Sequence, residues 1–158
     1  MRNISIRSMF LLFVIVGILS ACSADSSIDG NVVAQTTQDQ TIDREEDPDK
    51  VQIYYFWGDG CPFCAEQRKW LDDVLKEEFD DEIQVIDFET YGSRENSDMM
   101  QEIASTYGIE ARGVPITFIG DEYWRGFNAG SIGPQMIDKV EECIQEGCES
   151  PGKRLDRG

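Results

Sequence analysis

Cys61 and Cys64, with Pro62 and Phe63 between them, stand where an extended run gives way to a helix, and that placement constrains the chain more than any other feature. Val51 to Trp57 is β-branched and aromatic and predicts a strand. Gly58-Asp59-Gly60 breaks the strand, and Pro62 suits the first turn of a helix, where its missing N–H costs nothing. Cysteines three residues apart at a helix start fall within disulfide range. The first turn also offers unpaired N–H groups and the positive end of the helix dipole, which favour a thiolate over a thiol. Cys61 gains most from both and is the predicted nucleophile, its pKa drawn into the lowered range of about 3.5–7.5. Cys64, one turn deeper, is predicted to resolve the mixed disulfide. Two other readings are a static structural disulfide and a pair of zinc ligands. Structural zinc takes four Cys or His ligands and the chain has no histidine, so no metal is expected, and no cofactor beyond the Cys61–Cys64 pair itself.

The predicted helix carries Phe63, Trp70, Leu71, Val74, Leu75 and Phe79 on its apolar face. A second strand is predicted over Ile83 to Phe88. A second helix follows over about Ser97 to Tyr107, with Met100, Ile103, Ala104 and Tyr107 inward and Gly108 at its end. Pro115 to Ile119 and Glu122 to Gly126 read as a hairpin across Gly120-Asp121. Pro134 opens a last helix through Met136, Ile137, Val140 and Ile144, which stops at Gly147. The order β-α-β-α-β-β-α over residues 51–148 predicts an α/β domain, a four-stranded mixed sheet flanked by helices. Trp124, Tyr123 and Phe127 are expected to pack under the last helix, with a substrate-facing aromatic patch as the other reading. Residues 149–158 read as a disordered tail.

Residues 1–21 read as a signal peptide: Arg2 and Arg7 precede an apolar run from Met9 to Leu19 that is too short to span a bilayer. Its exit, Leu19-Ser20-Ala21-Cys22, resembles the lipobox of bacterial lipoproteins. The resemblance implies a diacylglycerol on Cys22 and a lipid anchor to a membrane of the bacterial cell envelope, on its extracytoplasmic side. Without it the segment reads as an ordinary secretory signal. Residues 22–50, rich in Ser, Asp, Gln and Thr, read as the lipidated cysteine and a flexible tether. The formal charge of −17 repels polyanions, so nucleic acid is excluded as a partner.

Residues 51–146 resemble the thioredoxin/glutaredoxin-like superfamily. Phe56-Trp57 precedes Cys61 at the spacing thioredoxins use, and Tyr107-Gly108-Ile109 followed by Gly113-Val114-Pro115 is similar to that family's approach to its cis-proline. The resemblance implies a cis Pro115 beside the two sulfurs and a Val114 backbone that pairs with an extended substrate. It also implies a substrate groove formed by Trp57, Pro62, Phe63, Val114 and Pro115. Pro-Phe between the cysteines is similar to glutaredoxins and periplasmic disulfide-exchange proteins. Thioredoxins place an Asp six residues before the first cysteine as proton acceptor for the second thiol. This chain has Tyr55 there, a poor base at neutral pH. The missing histidine removes the cation that some oxidising relatives place between their cysteines. It also argues against copper delivery.

Cys143 and Cys148 flank the end of the last helix. A structural disulfide that pins the C-terminal tail is expected in an oxidising compartment; a second redox pair relaying electrons to Cys61 and Cys64, or two free thiols, are the alternatives. The functional expectation is a monomeric, membrane-tethered thiol–disulfide oxidoreductase. Its partners would be exported cysteine-containing proteins and a membrane redox partner that recharges the pair, with the direction of electron flow open. A non-catalytic client-binding module and a dedicated electron carrier for one membrane partner are the competing expectations.

Overall fold

A computed structural model describes residues 45–157. The signal peptide, Cys22 and most of the tether lie outside the described residues. The elements run β1 (Val51–Trp57), α1 (Pro62–Trp70), a π-helical turn (Leu71–Leu75), α2 (Lys76–Phe79), β2 (Ile83–Glu89), α3 (Arg94–Thr106), β3 (Ile116–Ile119), β4 (Glu122–Arg125), α4 (Ile132–Glu146) and a 3₁₀ turn (Gly152–Arg157). The single helix expected from Pro62 to Phe79 is thus continuous in space but wound through one π turn.

The four strands form one mixed sheet in the order β2-β1-β3-β4. β1 pairs in parallel with β2, Val51 opposite Ile83 and Trp57 opposite Glu89. β3 runs antiparallel to β1, with Tyr55 opposite Thr117, and β4 closes a hairpin on β3 across Gly120-Asp121. Gly120 takes φ 56°, in the left-handed region that favours glycine.

Alternation along β1 splits the core in two. Ile53 and Tyr55 face α1, the π turn, α2 and α4, where they meet Trp70, Leu71, Leu75, Met136 and Val140. Tyr54 and Phe56 face α3, where they meet Met99, Met100, Ile103 and Ala104. β1 is covered on both faces, which is why it reads as a continuous apolar run. Trp124 and Phe127 pack on the α4 side, Phe127 with its ring centroid 5.3 Å from that of Trp70. Tyr123 points to the other face and packs edge-on to Tyr107.

Several expectations change. Helix α3 starts at Arg94 rather than near Ser97, because the Ser93 hydroxyl accepts the Asn96 N–H and caps it three residues earlier. Phe63 and Val74 do not join the apolar face: Phe63 is 60% exposed and Val74 37%. The inner face of α1 is Cys64, Gln67 and Trp70, so Phe63 at the second helical position points outward. The domain also extends past both expected boundaries. The Asp47 N–H donates to Gln84, the Gln52 amide to the Asp47 carbonyl, and Tyr54 OH to the Glu46 carboxylate. Residues 149–157 are ordered rather than a disordered tail. Ser150 donates to Glu46, Ser150 and Pro151 are buried, Arg154 stacks on the Tyr107 ring at 4.5 Å, and Leu155 packs on the α3-side core.

Candidate redox site

Cys61 is the N-cap of α1 and joins Cys64 in a disulfide with the Cα atoms 5.2 Å apart. The Cys61 sulfur itself accepts the Cys64 N–H at 3.2 Å, so one of the helix's free donors is aimed at it. A thiolate formed at Cys61 would receive the same donor together with the positive end of the dipole. The pair divides by exposure: Cys61 is half-buried, whereas Cys64 is 2% exposed. Phe63, 60% exposed, is not among the core residues packed around Cys64. Cys64 instead belongs to the core between sheet and helices, with Tyr55 of β1, Trp70 of α1 and Met136 of α4.

Two loops hold the approach to Cys61. The Cys61 N–H donates to the Gly58 carbonyl at 3.2 Å, and Gly60 takes φ 74°. Thr90 donates to the Trp57 carbonyl through both its N–H and its hydroxyl, at 2.8 and 2.9 Å. The Glu89 carboxylate accepts N–H groups from Gly92, Tyr91 and Asp59 at 2.7, 2.8 and 3.2 Å. These donors, Gly92 first, hold its pKa below the usual carboxylate value. Glu89 thereby fastens the loop before Cys61 to the loop after β2, and it carries no sequence signal of this role. The exposed ring of Tyr91 lies over Gly58, where an added Cβ would come within 2.5 Å of a ring carbon. Any larger residue there requires the exposed Tyr91 ring to move aside.

Across the disulfide, the Val114–Pro115 peptide is cis, and the Val114 carbonyl lies 3.8 Å from the Cys61 sulfur. Pro115 is buried and Val114 half-buried. The fold is thioredoxin-like. No protein-family model matches the chain, and no curated protein is significantly similar to it. Solved structures similar to it include a glutaredoxin from Archaeoglobus fulgidus, 17% identical, covering 54% of this chain and 86% of that one at a TM-score of 0.40. Another is glutaredoxin 1 from Francisella tularensis complexed with cacodylate, 22% identical, covering 56% of this chain and 99% of that one at a TM-score of 0.39.

Trp57 is fixed from below. Its indole N–H donates to Asp87 at 2.8 Å, Arg68 pairs with the same carboxylate at 3.0 Å, and the Arg68 guanidinium lies 4.6 Å from the Trp57 ring. Tyr55, at the position of the thioredoxin aspartate, is fully buried and donates its hydroxyl to the Cys64 carbonyl at 2.6 Å. Burial pushes its pKa up to about 12 against the opposing pull of Arg68, so it takes no proton from Cys64 near neutrality. Under the same helix face, Gln67 is fully buried and donates its amide to the Thr117 hydroxyl at 2.7 Å. Neither Gln67 nor Thr117 carries a local sequence signal of this pairing. A glutamine in a helix and a threonine in a strand look like solvent-facing positions unless the i, i+3 spacing from Cys64 is followed inward.

Cys143 and Cys148 form a second disulfide with Cα atoms 4.8 Å apart. It lies at the far end of the sheet. An added Cβ at Gly120, in the β3–β4 turn, would sit 2.9 Å from the Cys148 sulfur and 3.0 Å from the Cys143 sulfur. Ile119, the residue before that turn, pairs with Ile53 near the start of β1, whereas Cys61 lies beyond its end. At about 3.3 Å per residue the two disulfides are separated by about 15 Å or more. Cys148 also follows the C-terminus of α4, the negative end of a helix, which disfavours a thiolate. Among the described residues no group of three or more Cys, His, Asp or Glu is placed to hold a metal ion.

Proposed function

We propose that this chain is an extracytoplasmic protein thiol–disulfide oxidoreductase that exchanges disulfides with exported proteins through Cys61 and Cys64. The observation that carries the reading is the asymmetry of the pair. One sulfur caps a helix and faces the Val114 carbonyl beside Pro115, while the other is buried one turn below. In the reducing direction, the Cys61 thiolate attacks a client sulfur, forms a mixed disulfide and expels the first client thiolate. Cys64 then loses its proton and attacks the Cys61 sulfur. The Cys61–Cys64 bond forms, and the second client thiolate leaves with the electron pair. Two electrons pass to the client, and a redox partner must restore the dithiol. Oxidation of a client dithiol is the same sequence reversed. The cell-envelope setting and the lipid anchor are supported by the signal-like segment 1–21 and by Cys22.

Insulin reduction and refolding of a scrambled protein test the activity. Cys61→Ala abolishes both, whereas Cys64→Ala traps clients as mixed disulfides on Cys61. Iodoacetamide near neutral pH modifies Cys61 of the reduced protein before Cys64. Full exchange activity in Cys61→Ala, or faster alkylation of Cys64, overturns the reading.

A further inference from the structure

Gln67 is an anomaly in the core. It has no exposed surface, and its amide N–H₂ is committed to Thr117, with the Met136 sulfur 3.9 Å away. Its carbonyl oxygen Oε1 is buried and accepts no hydrogen bond from any protein donor. A buried acceptor left this way destabilises the state that contains it. The state in hand is the disulfide form, in which neither Cys61 nor Cys64 carries a proton.

Gln67 follows Cys64 by one turn on the same inner face of α1. Residues three apart on a helix are neighbours, and a long helical side chain leans toward the N-terminal turn, which here is the turn bearing Cys64. Its anchor, Thr117, stands opposite Tyr55 in the sheet, and Tyr55 reaches the Cys64 carbonyl. The glutamine, the threonine and the buried sulfur therefore converge beneath one turn. The Tyr55 hydroxyl is already spent on the Cys64 carbonyl.

We propose that Gln67 sets the redox poise of the pair: its Oε1 accepts the S–H of Cys64 in the dithiol form and lacks that partner in the disulfide form. Reduction of Cys61–Cys64 adds two electrons and two protons, one of which rests on Cys64 against Gln67; the client dithiol that supplies them is oxidised to its disulfide. An acceptor satisfied only after reduction stabilises the reduced form. It makes the pair a stronger oxidant of clients than the same site without it. Gln67 is here a positioning residue for the Cys64 proton, not an attacking group. The proposal rests on the exchange reading only in taking the pair as one that cycles between disulfide and dithiol.

The test equilibrates the purified full chain with a series of reduced and oxidised glutathione. Redox forms are scored by alkylation, and the Cys143–Cys148 bridge is scored separately by peptide mapping. Gln67→Met, similar in length and apolar, is expected to lower the equilibrium constant for reduction of Cys61–Cys64 about tenfold, the scale of one buried hydrogen bond. Tenfold corresponds to about 30 mV for a two-electron couple. Thr117→Val removes a hydrogen bond from the same cluster but keeps Oε1. It is expected to lower the melting temperature of both redox forms alike and leave the equilibrium in place. A purely structural role for Gln67 would give Gln67→Met that same behaviour and overturns the proposal. So does a Thr117→Val shift as large as that of Gln67→Met. A measurement without substitution at Gln67 covers the case of a variant that fails to fold. The infrared difference between Cys61→Ala and Cys61→Ala, Cys64→Ala isolates the Cys64 S–H band. A hydrogen-bonded frequency supports the proposal and a free-thiol frequency refutes it. None of these readouts uses a client, so inactivity in insulin reduction counts against the exchange reading alone.

Discussion

Replacing Cys148 by Ser opens the second disulfide while leaving Cys143, 3% exposed, as a small buried apolar side chain. The bridge spans a sequence separation of 5. Loop-closure entropy for so short a loop is about 7 cal/mol/K, or about 2 kcal/mol at 25 °C. In a domain of roughly 110 residues that is a fall of about 8 °C in melting temperature. The fall should be read by circular dichroism without reductant, so that Cys61–Cys64 stays closed in both proteins. Insulin turnover per folded molecule at 25 °C should be unchanged, because the bridge lies at the other end of β1 and follows the end of α4 that disfavours a thiolate. An unchanged melting temperature refutes the loop-closure reasoning. A folded Cys148→Ser protein that has lost exchange activity refutes the separation of the two disulfides and restores the relay.

Two further outcomes are expected. Glu89 has its pKa lowered by the Gly92, Tyr91 and Asp59 N–H groups, so its contribution is present above the unfolded carboxylate value near 4.5 and is lost as pH falls through the lower folded value. Glu89→Gln should remove this acid-side dependence and speed amide exchange at Asp59, Tyr91 and Gly92. Equal exchange at those amides in both proteins would show that the carboxylate does not hold the loops. Cys22→Ser should leave the expressed protein unlipidated and soluble after cell fractionation; its persistence in the membrane fraction would end the lipoprotein reading.

The sheet and helices were legible because their residues obey simple periods. The β-branched run of β1, the Met100-Ile103-Ala104 spacing of α3 and the turn residues Gly120-Asp121 each point to one local structure. The cysteine pair was legible for the same reason, since a strand break followed by Pro62 fixes it at a helix start. What escaped was polar and non-local. Glu89 acts through backbone donors on two loops, and Gln67 finds Thr117 fifty positions away, so neither leaves a mark at short range. The ordered C-terminal segment escaped because its composition resembles a solvated tail. It is held by Ser150 on Glu46, Arg154 on Tyr107, and the burial of Pro151 and packing of Leu155.

The contact between Glu46 and Ser150 brings the two ends of the domain together beside the early part of β1, while Cys61 lies past the other end of that strand. A body fastened through either terminus is therefore gripped by its heel. Its reactive sulfur then stands beyond the opposite end of β1 from the grip. On the flexible tether read over residues 22–50 such a body still turns freely, so the arrangement sets where the domain is held, and a client or redox partner in the supporting bilayer stays within its reach.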